Sequence, residues 1–518
     1  MLKKWTRAAL LAAMTAFLLV AGTVTSCSDS NSGGVEETQT YTVTFDSDGG
    51  SEVEPLTINS GETAEKPDDP TRDGYVFGGW YLGDSEFHFS TAITQNITLK
   101  AKWISATQVS ASELAQKIAA LTNETGTVTF KVNGEAGSSF FDDVKNALMT
   151  LAGSGSTVLV SLDLSDVTGV TRVPTYAFCN LNSGSYTYTG CTNLTGIVLP
   201  DTVGTIDSSA FNSCSGLTSV TIPGNVTLIW SSAFENCENL VVTYKGTLAQ
   251  WCQMSNTLSL LKNAASITLD DVTDLKALTE LTIPDNVESI GSYALAYCTK
   301  LTSVKIPESV KSIDSAFYAC SKNLAVTYGG TLAQWCVMDN DQYLLYNAAS
   351  ITLDDVTDLK ALTELTVPDN VESIGNCALA YCTKLTSVKI SAGVKSIGRH
   401  AFYHSGLTSL EIPEGVESID NFAFSYCTSL TSMTIGRGVT RIGAFVFSEC
   451  SALDSVTFND PDGWYATSSS LYKNGRSINV STSTPATNAT NLKNTSISDS
   501  SGNNWGGRYL YKTATTEE

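Results

Sequence analysis

The chain has 518 residues, which is too many for one hydrophobic core and predicts several domains or an open-ended array of repeats. Thirty basic against fifty-two acidic residues leave a formal charge of −22, so nucleic acid and anionic lipid headgroups are poor partners. The hydrophobic content of 42% allows packed cores, and the charged fraction of 16% with abundant Ser, Thr and Gly favours short strands joined by tight turns.

Residues 1–26 have the layout of an export signal. Basic residues precede an apolar run that is too short to span a bilayer, and small residues follow it. The run ends at Val24-Thr25-Ser26-Cys27, which resembles the lipobox of bacterial lipoproteins, with Val where Leu is commoner. The resemblance implies a lipid on Cys27, and the polar residues 27–40 suit a flexible tether. The alternative is an ordinary cleaved signal in which Cys27 is incidental.

Residues 41–103 predict a small β-rich module. Residues 41–45 and 97–103 alternate apolar and polar side chains, as half-buried strands do, and turn signals lie between them. The stretch resembles the internalin-type B repeat, a β-grasp-like module, through Val43, Phe45, Gly49, Gly50, Pro67, Pro70, Gly74-Tyr75, Phe77, Gly79-Trp80-Tyr81, Phe89 and Leu99-Lys-Ala-Lys-Trp103. We expect its aromatic side chains to form the core; the alternative is a sugar-stacking platform.

Residues 104–165 are predicted to form an α/β N-terminal cap, because an uncapped array of repeats would expose an apolar end. Helical spacing is present in residues 113–121, with Ser112 as the expected N-cap, and in residues 140–151. Residues 127–132 and 157–164 predict strands, and the second strand leads directly into the repeats.

Residues 166–458 contain a leucine-based repeat of about 23 residues. Its leucines fall into three series, which are Leu194, Leu217 and Leu240; Leu278, Leu301 and Leu324; and Leu362, Leu385, Leu407, Leu430 and Leu453. In one unit, Leu217, Val220 and Ile222 are spaced to point inward from a short strand, which Pro223 ends. Each coil is amphipathic, so the core forms only when neighbouring coils stack.

The pattern I-P-x-x-V-x-x-I-x-x-x-A-F-x-x-C-x-x-L recurs over residues 192–453 and resembles the BspA-type repeat of bacterial surface leucine-rich-repeat proteins. The resemblance implies an α/β-type leucine-rich-repeat solenoid with short parallel strands. Leu295 and Leu379 replace the phenylalanine, and the unit with His400 and His404 has 22 residues and lacks its cysteine.

Two expanded coils are expected to interrupt the array, at about residues 243–277 and 327–361. Residues 243–306 and 327–390 match almost letter for letter at an offset of 84, which indicates a recent duplication and suggests that length is the selected quantity. In residues 459–518 the repeat fades, and a β-rich C-terminal cap with a mobile end is predicted. Its large hydrophobic residues are Trp464, Tyr465, Leu471, Tyr472, Trp505, Tyr509 and Tyr511.

Most of the thirteen cysteines occupy one position in successive units, so we expect an inward stack of free thiols. Near-parallel Cβ vectors in neighbouring coils do not suit disulfides. The residues at this position are Cys191, Cys214, Cys237, Cys298, Cys320, Cys382, Cys427 and Cys450. The pattern does not place four others, Cys179, Cys252, Cys336 and Cys377.

The sequence predicts no catalytic, metal or cofactor site. Zinc needs ligands that converge on one point, whereas these thiols follow an array and only three histidines are present. His400 and His404 would share a face on a helix, but a surface or core role is favoured. The pairs Asp270-Asp271 and Asp354-Asp355 suggest a glycosidase or Ca²⁺ ligands, yet no Ca²⁺-binding loop accompanies them and a solvated turn is favoured.

The outward positions of the predicted strands form a Ser/Thr-rich surface that suits an extended protein or glycan ligand, although Thr also favours strands in general. These candidate binding residues are Thr218, Ser219, Thr221, Thr302, Ser303, Lys305, Thr386, Ser387, Lys389, Thr408, Ser409, Glu411, Thr431, Ser432 and Thr434.

The BspA-type resemblance implies an exported bacterial surface protein that acts as an adhesion module toward host matrix, host cells or other bacteria. A lipid on Cys27 would hold it to a membrane, expected to be the outer membrane. One alternative is a structural envelope protein that serves as a spacer without a dedicated ligand. The other is a hydrolase built on the C-terminal segment.

Overall fold

The structure is a computed structural model that describes residues 39–255, 257–467, 476–477, 484–493 and 508–512. The predicted export signal, Cys27 and nearly all of the tether lie outside the described residues, as do Leu471, Tyr472 and Trp505. The described residues from Tyr41 onward belong to one structural unit.

The N-terminal module is a five-stranded mixed sheet. Its strands are β1 Thr40–Asp46, β2 Leu56–Asn59, β3 Tyr75–Leu82, β4 Ser85–Glu86 and β5 Ile97–Ser105. They lie in the order β2-β1-β5-β3-β4, with β1 and β5 parallel and β3 antiparallel to β5. Alternation buries Val43, Phe45 and Leu99, and the Phe45 ring centroid lies 4.9 Å from that of Trp80. Trp80 is 2% exposed, so the prediction of an aromatic core is confirmed.

Parallel strands and two helices lead into the repeats. They are β6 Thr107–Ser110, α1 Leu114–Ala119, β7 Thr127–Glu135, α2 Phe140–Gly153 and β8 Leu159–Thr168, with a 3-10 turn at Ala120–Asn123. The expected N-cap at Ser112 is wrong, because Glu113 precedes α1 and no side chain caps it. Ser110 Oγ donates instead to the Glu113 carboxylate at 2.6 Å, which ties that acid to the end of β6.

Each ordinary repeat coil places one strand in a main parallel sheet and a two-residue strand in a short-strand sheet, whereas the expanded coils have helices in place of the two-residue strand. The first block contains β9 Arg172–Val173, β10 Cys179–Asn182, β11 Thr187–Gly190, β12 Leu194–Val198, β13 Thr205–Ile206, β14 Ser219–Pro223, β15 Leu228–Ile229, β16 Leu240–Lys245, α3 Leu248–Cys252, α4 Leu258–Asn263 and β17 Ala264–Thr268. The first main sheet has the order β17-β16-β14-β12-β8-β7-β6. The first short-strand sheet has the order β15-β13-β9, and β10 and β11 form a hairpin.

The second block repeats this arrangement with β18 Glu280–Thr282, β19 Ser289–Ile290, β20 Ser303–Pro307, β21 Ser312–Ile313, β22 Leu324–Gly329, α5 Leu332–Val337, α6 Gln342–Asn347 and β23 Ala348–Thr352. A 3-10 turn at Leu359–Ala361 follows. The last block contains β24 Glu364–Thr366, β25 Ser373–Ile374, β26 Ser387–Lys389, β27 Ser396–Ile397, β28 Ser409–Glu411, β29 Ser418–Ile419, β30 Ser432–Ile435, β31 Arg441–Ile442 and β32 Ser455–Phe458. The later main sheets are β18-β20-β22-β23, β24-β26 and β28-β30-β32.

The core between the two sets of strands is a stack of equivalent side chains. The rings of Phe178, Phe211 and Phe234 stack with centroid distances of 4.9 and 5.0 Å and an interplanar angle of 10°. These distances match the ~4.8 Å separation of neighbouring strands, so each of these three coils contributes one ring to a stacked column. Phe402 and Phe424 repeat the arrangement at 5.3 Å.

The expanded coils explain the breaks in the main sheet after β17 and after β23. After β17 the chain turns back, and Leu275 N donates to Ile267 O at 2.8 Å while Ile267 N donates to Asp274 Oδ1 at 3.0 Å. These bonds use the edge of β17 that the next strand would need, so β18 begins a new sheet. Ile351 N donates to Asp358 Oδ1 in the same way after β23.

The chain closes the array with β33 Trp464–Thr467, β34 Arg476–Ser477, α7 Pro485–Lys493 and β35 Tyr509–Lys512. β35 pairs antiparallel with β31 and β33, which ends the parallel order of the short-strand sheet β25-β27-β29-β31. The sequence predicted only strands here. Helix α7 was missed because its composition is polar, but it packs on the last coil, where Asn488 Nδ2 donates to Val456 O at 3.0 Å.

Candidate binding surface

The parallel register aligns outward side chains in rows across the main sheets. One row of the first sheet consists of Lys131, Asp163, Val198, Thr221, Thr243 and Thr268. The corresponding row of the second main sheet, β18-β20-β22-β23, consists of Thr282, Lys305, Thr327 and Thr352. All of the candidate residues taken from the sequence are exposed or half-exposed, so the structure places each of them on the outer side of its strand.

The threonine just before five of the main-sheet strands has a structural role that sequence reasoning missed. The hydroxyl of Thr302 donates to Thr279 O at 2.9 Å, and that of Thr431 donates to Thr408 O at 2.9 Å. The same bond to the preceding coil is made by Thr218, Thr386 and Thr408. The hydrogen of each hydroxyl is therefore already donated, so these five threonines could only accept a hydrogen bond from a ligand.

Charged side chains interrupt the rows outside the first sheet. Lys305 pairs in register with Thr282 and Thr327, and Lys389 pairs with Thr366. Glu411 lies in register with Thr434. We call the outward side chains of the main-sheet strands from β18 to β32 the open strand face. It presents hydroxyl groups with isolated charges of both signs.

The N-terminal module lies against the first main sheet. Lys245 Nζ, at the end of β16, is 3.2 Å from Asp69 Oδ2 of the module. The hydroxyls of Ser90 and Thr273 are 2.6 Å apart. Sequence reasoning missed this contact, because a single surface ion pair and one hydroxyl pair leave no pattern in the sequence. Consequently Ser219 and Thr221 face the module, unlike the later candidate residues.

Between the module and the sheet is a cleft of about 710 Å³, which we call the module cleft. Its sheet side includes Asp163, Thr221 and Thr243, and its module side includes Phe77 and Trp103. A neighbouring opening of about 750 Å³ contains the acidic loop of the first expanded coil. Partial burial there raises the pKa of Asp270, and the neighbouring Asp271 adds to the shift.

The cysteines are buried free thiols, as predicted. All twelve within the described residues are unpaired and buried, including the four that the repeat pattern did not place. The thiol of Cys237 donates to Phe211 O at 3.0 Å, and that of Cys450 donates to Phe424 O at 3.1 Å. Burial raises the pKa of the Cys237 thiol to about 12, so it is neutral at physiological pH. These cysteines pack in the core and satisfy backbone carbonyls, and they are not nucleophiles.

The paired aspartates lie in turns at the surface, and the second member of each pair has a structural role. Asp271 Oδ1 accepts from Leu248 N at 2.7 Å, and Asp355 Oδ1 accepts from Leu332 N at 2.7 Å. Each carboxylate therefore binds the first turn of a helix, α3 or α5. In the sequence, the start of each helix is marked by the Thr-Leu-Ala-Gln segment, whose threonine and glutamine form a capping box in both copies.

The two neighbouring histidines lie in turns and not on a helix. His400 and His404 have positive φ angles of 56° and 55°. The His400 ring stacks on Phe422 with 5.0 Å between centroids, and burial together with Arg399 lowers the pKa of His400 to about 4. It is thus a neutral packing residue at pH 7. Across the described ranges, His, Cys, Asp and Glu side chains form no group of three or more suited to a metal ion.

Within the part of the chain that the structure describes, no helix has the length and apolar composition needed to cross a bilayer.

Two solved structures of leucine-rich-repeat proteins are similar to this chain. A leucine rich cell surface protein from Faecalibacterium prausnitzii A2-165 is 24% identical with a TM-score of 0.31, covering 57% of this chain and 84% of that chain. A leucine-rich repeat protein from Eubacterium ventriosum ATCC 27560 is 20% identical with a TM-score of 0.31, covering 51% of this chain and 66% of that chain.

Two relatives come from Evansella cellulosilytica. A protein named as a membrane protein is 39% identical over 72 residues, or 13% of this chain. Another, named as a Gly-rich membrane protein, is 29% identical over 112 residues, or 21% of this chain. The chain spans 11% and 12% of the length of these relatives.

Two family models match the chain. The Listeria-Bacteroides repeat domain matches residues 41–102, which is the module. The BspA type leucine rich repeat region matches in six copies over residues 182–269, 247–334 and 357–479. These ranges cover more than half of the sequence and coincide with the stacked coils. The chain therefore belongs to the BspA-type leucine-rich-repeat family, and its N-terminal module is a Listeria-Bacteroides repeat domain.

Proposed function

We propose that this protein is a lipid-anchored bacterial cell-surface protein that acts as an adhesion module. Its ligands are proteins or glycans on host matrix, host cells or other bacteria, and it binds them without catalysis. The observation that carries the proposal is the open strand face, a long row of outward hydroxyls with isolated charges that the module does not cover. Membership in the BspA-type family and the membrane-protein names of the relatives support the cell-surface location.

The open strand face suits an extended ligand for a physical reason. Its side chains are held by strands whose spacing is set by backbone hydrogen bonds, so little conformational entropy is lost when they bind. Lys305 stands between Thr282 and Thr327. Lys389 pairs in register with Thr366. Both lysines are exposed, whereas the whole chain carries a charge of −22. They are therefore the positions on this face where an acidic group of a ligand would be attracted.

Surface plasmon resonance of the full chain against immobilised matrix proteins and whole bacterial cells tests the proposal. We expect saturable binding, and we expect the double substitution Lys305→Glu/Lys389→Glu to weaken it by at least about tenfold. The control is Lys311→Glu/Lys395→Glu, which makes the same charge change on exposed lysines next to the short strands. Absence of saturable binding, or equal loss in both variants, would refute the adhesion proposal.

The anchor is tested separately by labelling cells with radioactive palmitate. We expect label on the wild-type protein and none on Cys27→Ala, since only that cysteine follows the lipobox-like segment. The described cysteines are buried, so they do not compete for the lipid. Label that persists in Cys27→Ala would disprove the assignment.

A spacer role is the second candidate, and the duplication of 84 residues favours it. A protein selected for length alone would tolerate both lysine variants without any change on cells. Its spacer function would be lost when coils are removed. The same resonance measurements on a chain that lacks residues 243–326 separate the two candidates. An adhesion module keeps saturable binding through Lys389 and the coils that remain, although Lys305 is lost, whereas a spacer shows no binding in either form.

A further inference from the structure

We propose that the module cleft binds a short neutral oligosaccharide. This site is separate from the open strand face, and the proposal does not depend on the adhesion function. Its volume of about 710 Å³ lies within the range of ~300 to 1,000 Å³ that is usual for small-ligand sites, and such sites are common at the junction of two folded parts.

The sheet side of the cleft offers hydroxyl groups without partners. Among the described residues, the hydroxyls of Ser165, Ser219, Thr221 and Thr243 make no hydrogen bond. They differ in this from the threonines just before the strands, whose hydroxyls donate to the preceding coil. A free hydroxyl donates one hydrogen bond and accepts others, which is also what each sugar hydroxyl does. The row Thr221 to Thr243 is held in register by the sheet, so these groups are already positioned.

Asp163 adds a buried acceptor to the same side of the cleft. Its residue surface is 5% exposed, and within the described part of the chain its carboxylate accepts one hydrogen bond, from Ser165 N at 3.0 Å. The nearby Lys131 does not neutralise it, because Lys131 Nζ pairs with Asp166 Oδ2 at 3.3 Å. A buried carboxylate with spare lone pairs is costly, and neighbouring hydroxyls of a sugar would satisfy it.

The module side of the cleft supplies aromatic rings. Tyr75, Phe77 and Trp103 are half-buried and line the cleft, and the Phe77 and Trp103 rings meet edge to face at 5.5 Å. The C–H faces of a sugar ring are apolar while its rim is polar. A cleft with aromatic rings on one side and hydroxyls on the other matches both parts of such a ligand.

The charges of the cleft argue against an anionic ligand. Four basic and six acidic side chains line it, and three of the basic ones are paired. Lys131 pairs with Asp166, and Lys66 and Lys245 both pair with Asp69. The net charge of −2 repels phosphate, nucleic acid and acidic glycans. The unpartnered hydroxyls favour a neutral sugar over a basic peptide, since ammonium groups bring only donors.

The test uses the full chain and a printed array of neutral oligosaccharides built from hexose and N-acetylhexosamine units. Acidic oligosaccharides and oligolysine peptides are printed beside them, and the strongest neutral ligand is then titrated by calorimetry. We expect binding to neutral sugars only. Thr243→Val and Asp163→Asn should each weaken it by about tenfold, since each removes one ligand hydrogen bond.

The duplication supplies a matched control. Thr327 is the counterpart of Thr243 at the offset of 84 residues and lies in the second main sheet, away from the module. Thr327→Val should bind the sugar as the wild type does, and so should Lys305→Glu/Lys389→Glu, whose effect is confined to the adhesion proposal. Circular dichroism confirms that each variant is folded. The proposal is overturned if no neutral sugar binds, if only acidic sugars or oligolysine bind, or if Thr243→Val behaves like Thr327→Val.

Discussion

Single residues in this solenoid do two things at once: they fill a position in the coil and they satisfy the backbone of the coil before it. Threonine does this on the outer surface, where Thr302 donates to Thr279 O, and cysteine does it in the core, where Cys237 donates to Phe211 O. The repeat period reveals which positions point inward. It does not reveal the hydrogen bonds, because they join residues that are one coil apart and depend on the final register.

Thiol reactivity tests the description of the cysteines. Thiolate is the reactive form, and burial raises the pKa of Cys191 and Cys298 to about 12, so almost none is present at pH 8. We expect Ellman's reagent to modify none of the twelve described cysteines in the folded protein and all of them in denaturant. Peptide mapping by mass spectrometry identifies the sites. Rapid modification of any one of them in the folded state would contradict the buried stack.

Asp341 predicts a pH dependence of stability. It is 3% exposed and accepts from Phe317 N at 3.0 Å and Tyr343 N at 2.8 Å, yet burial raises its pKa from 3.8 to about 6. The folded state therefore holds this proton more tightly than the unfolded state. The contribution of Asp341 to the free energy of unfolding is highest below pH 4 and falls as pH rises to 6, by about 3 kcal/mol.

Urea unfolding of wild type and Asp341→Asn at pH 4 and pH 7 measures this effect. Asn does not titrate, so the variant should lose part of the pH dependence that the wild type shows in this window. The exposed Asp354→Asn is the control and should leave the difference between the two pH values unchanged. An equal pH dependence in wild type and Asp341→Asn would show that folding does not raise the pKa of this carboxyl.

At the scale of elements, the sequence predicted which segments form coils but not where the main sheet stops. Strands β12, β14 and β16 follow from the spacing of leucines, and the expanded coils follow from the duplicated segment. The break after β17 depends on Asp274 and Leu275, which bond Ile267 and use its strand edge. Short helices were missed because α3 and α4 have five and six residues, too few for a helical period to be visible.

The capping aspartate of each expanded coil is the prediction at this scale. The Asp355 carboxylate accepts from Leu332 N at the start of α5, so Asp355→Ala should destabilise that helix by about 1 kcal/mol. Hydrogen exchange of the α5 amides should then be roughly fivefold faster. The neighbouring Asp354→Ala removes an equal charge from an exposed side chain and should have no such effect. If the α5 amides exchange equally fast in both variants, Asp355 acts only through its charge and not through its hydrogen bond to Leu332 N.

For the whole molecule, the family pattern predicts the solenoid and the module separately. The way they pack together is set by polar contacts between their surfaces. The module cleft depends on Lys245 with Asp69 and on Ser90 with Thr273, which are 176 and 183 residues apart in the sequence. Polar surface pairs of this kind have no periodicity, so neither their existence nor the division of the candidate residues between cleft and open strand face was predictable. The continuous core from Val109 to Leu510, in contrast, follows from the repeat itself.

The duplication permits a clean test of modularity. Deleting residues 243–326 joins Val242 directly to Thr327, and both ends occupy equivalent places in β16 and β22. The hybrid strand keeps its outward and inward alternation, so it can pair with β14 on one side and β23 on the other. Because each coil of a solenoid contacts mainly its neighbours, the shortened chain should fold, with the stability of the remaining coils preserved. It loses four layers of the main sheets, each contributing about 4.8 Å, which small-angle scattering measures as a shorter particle. A matched deletion of residues 243–325 shifts the joined strand by one residue and turns its buried side chains outward, so that chain should not fold. If both deletions fold equally well, or neither does, the two 84-residue copies are not interchangeable structural units.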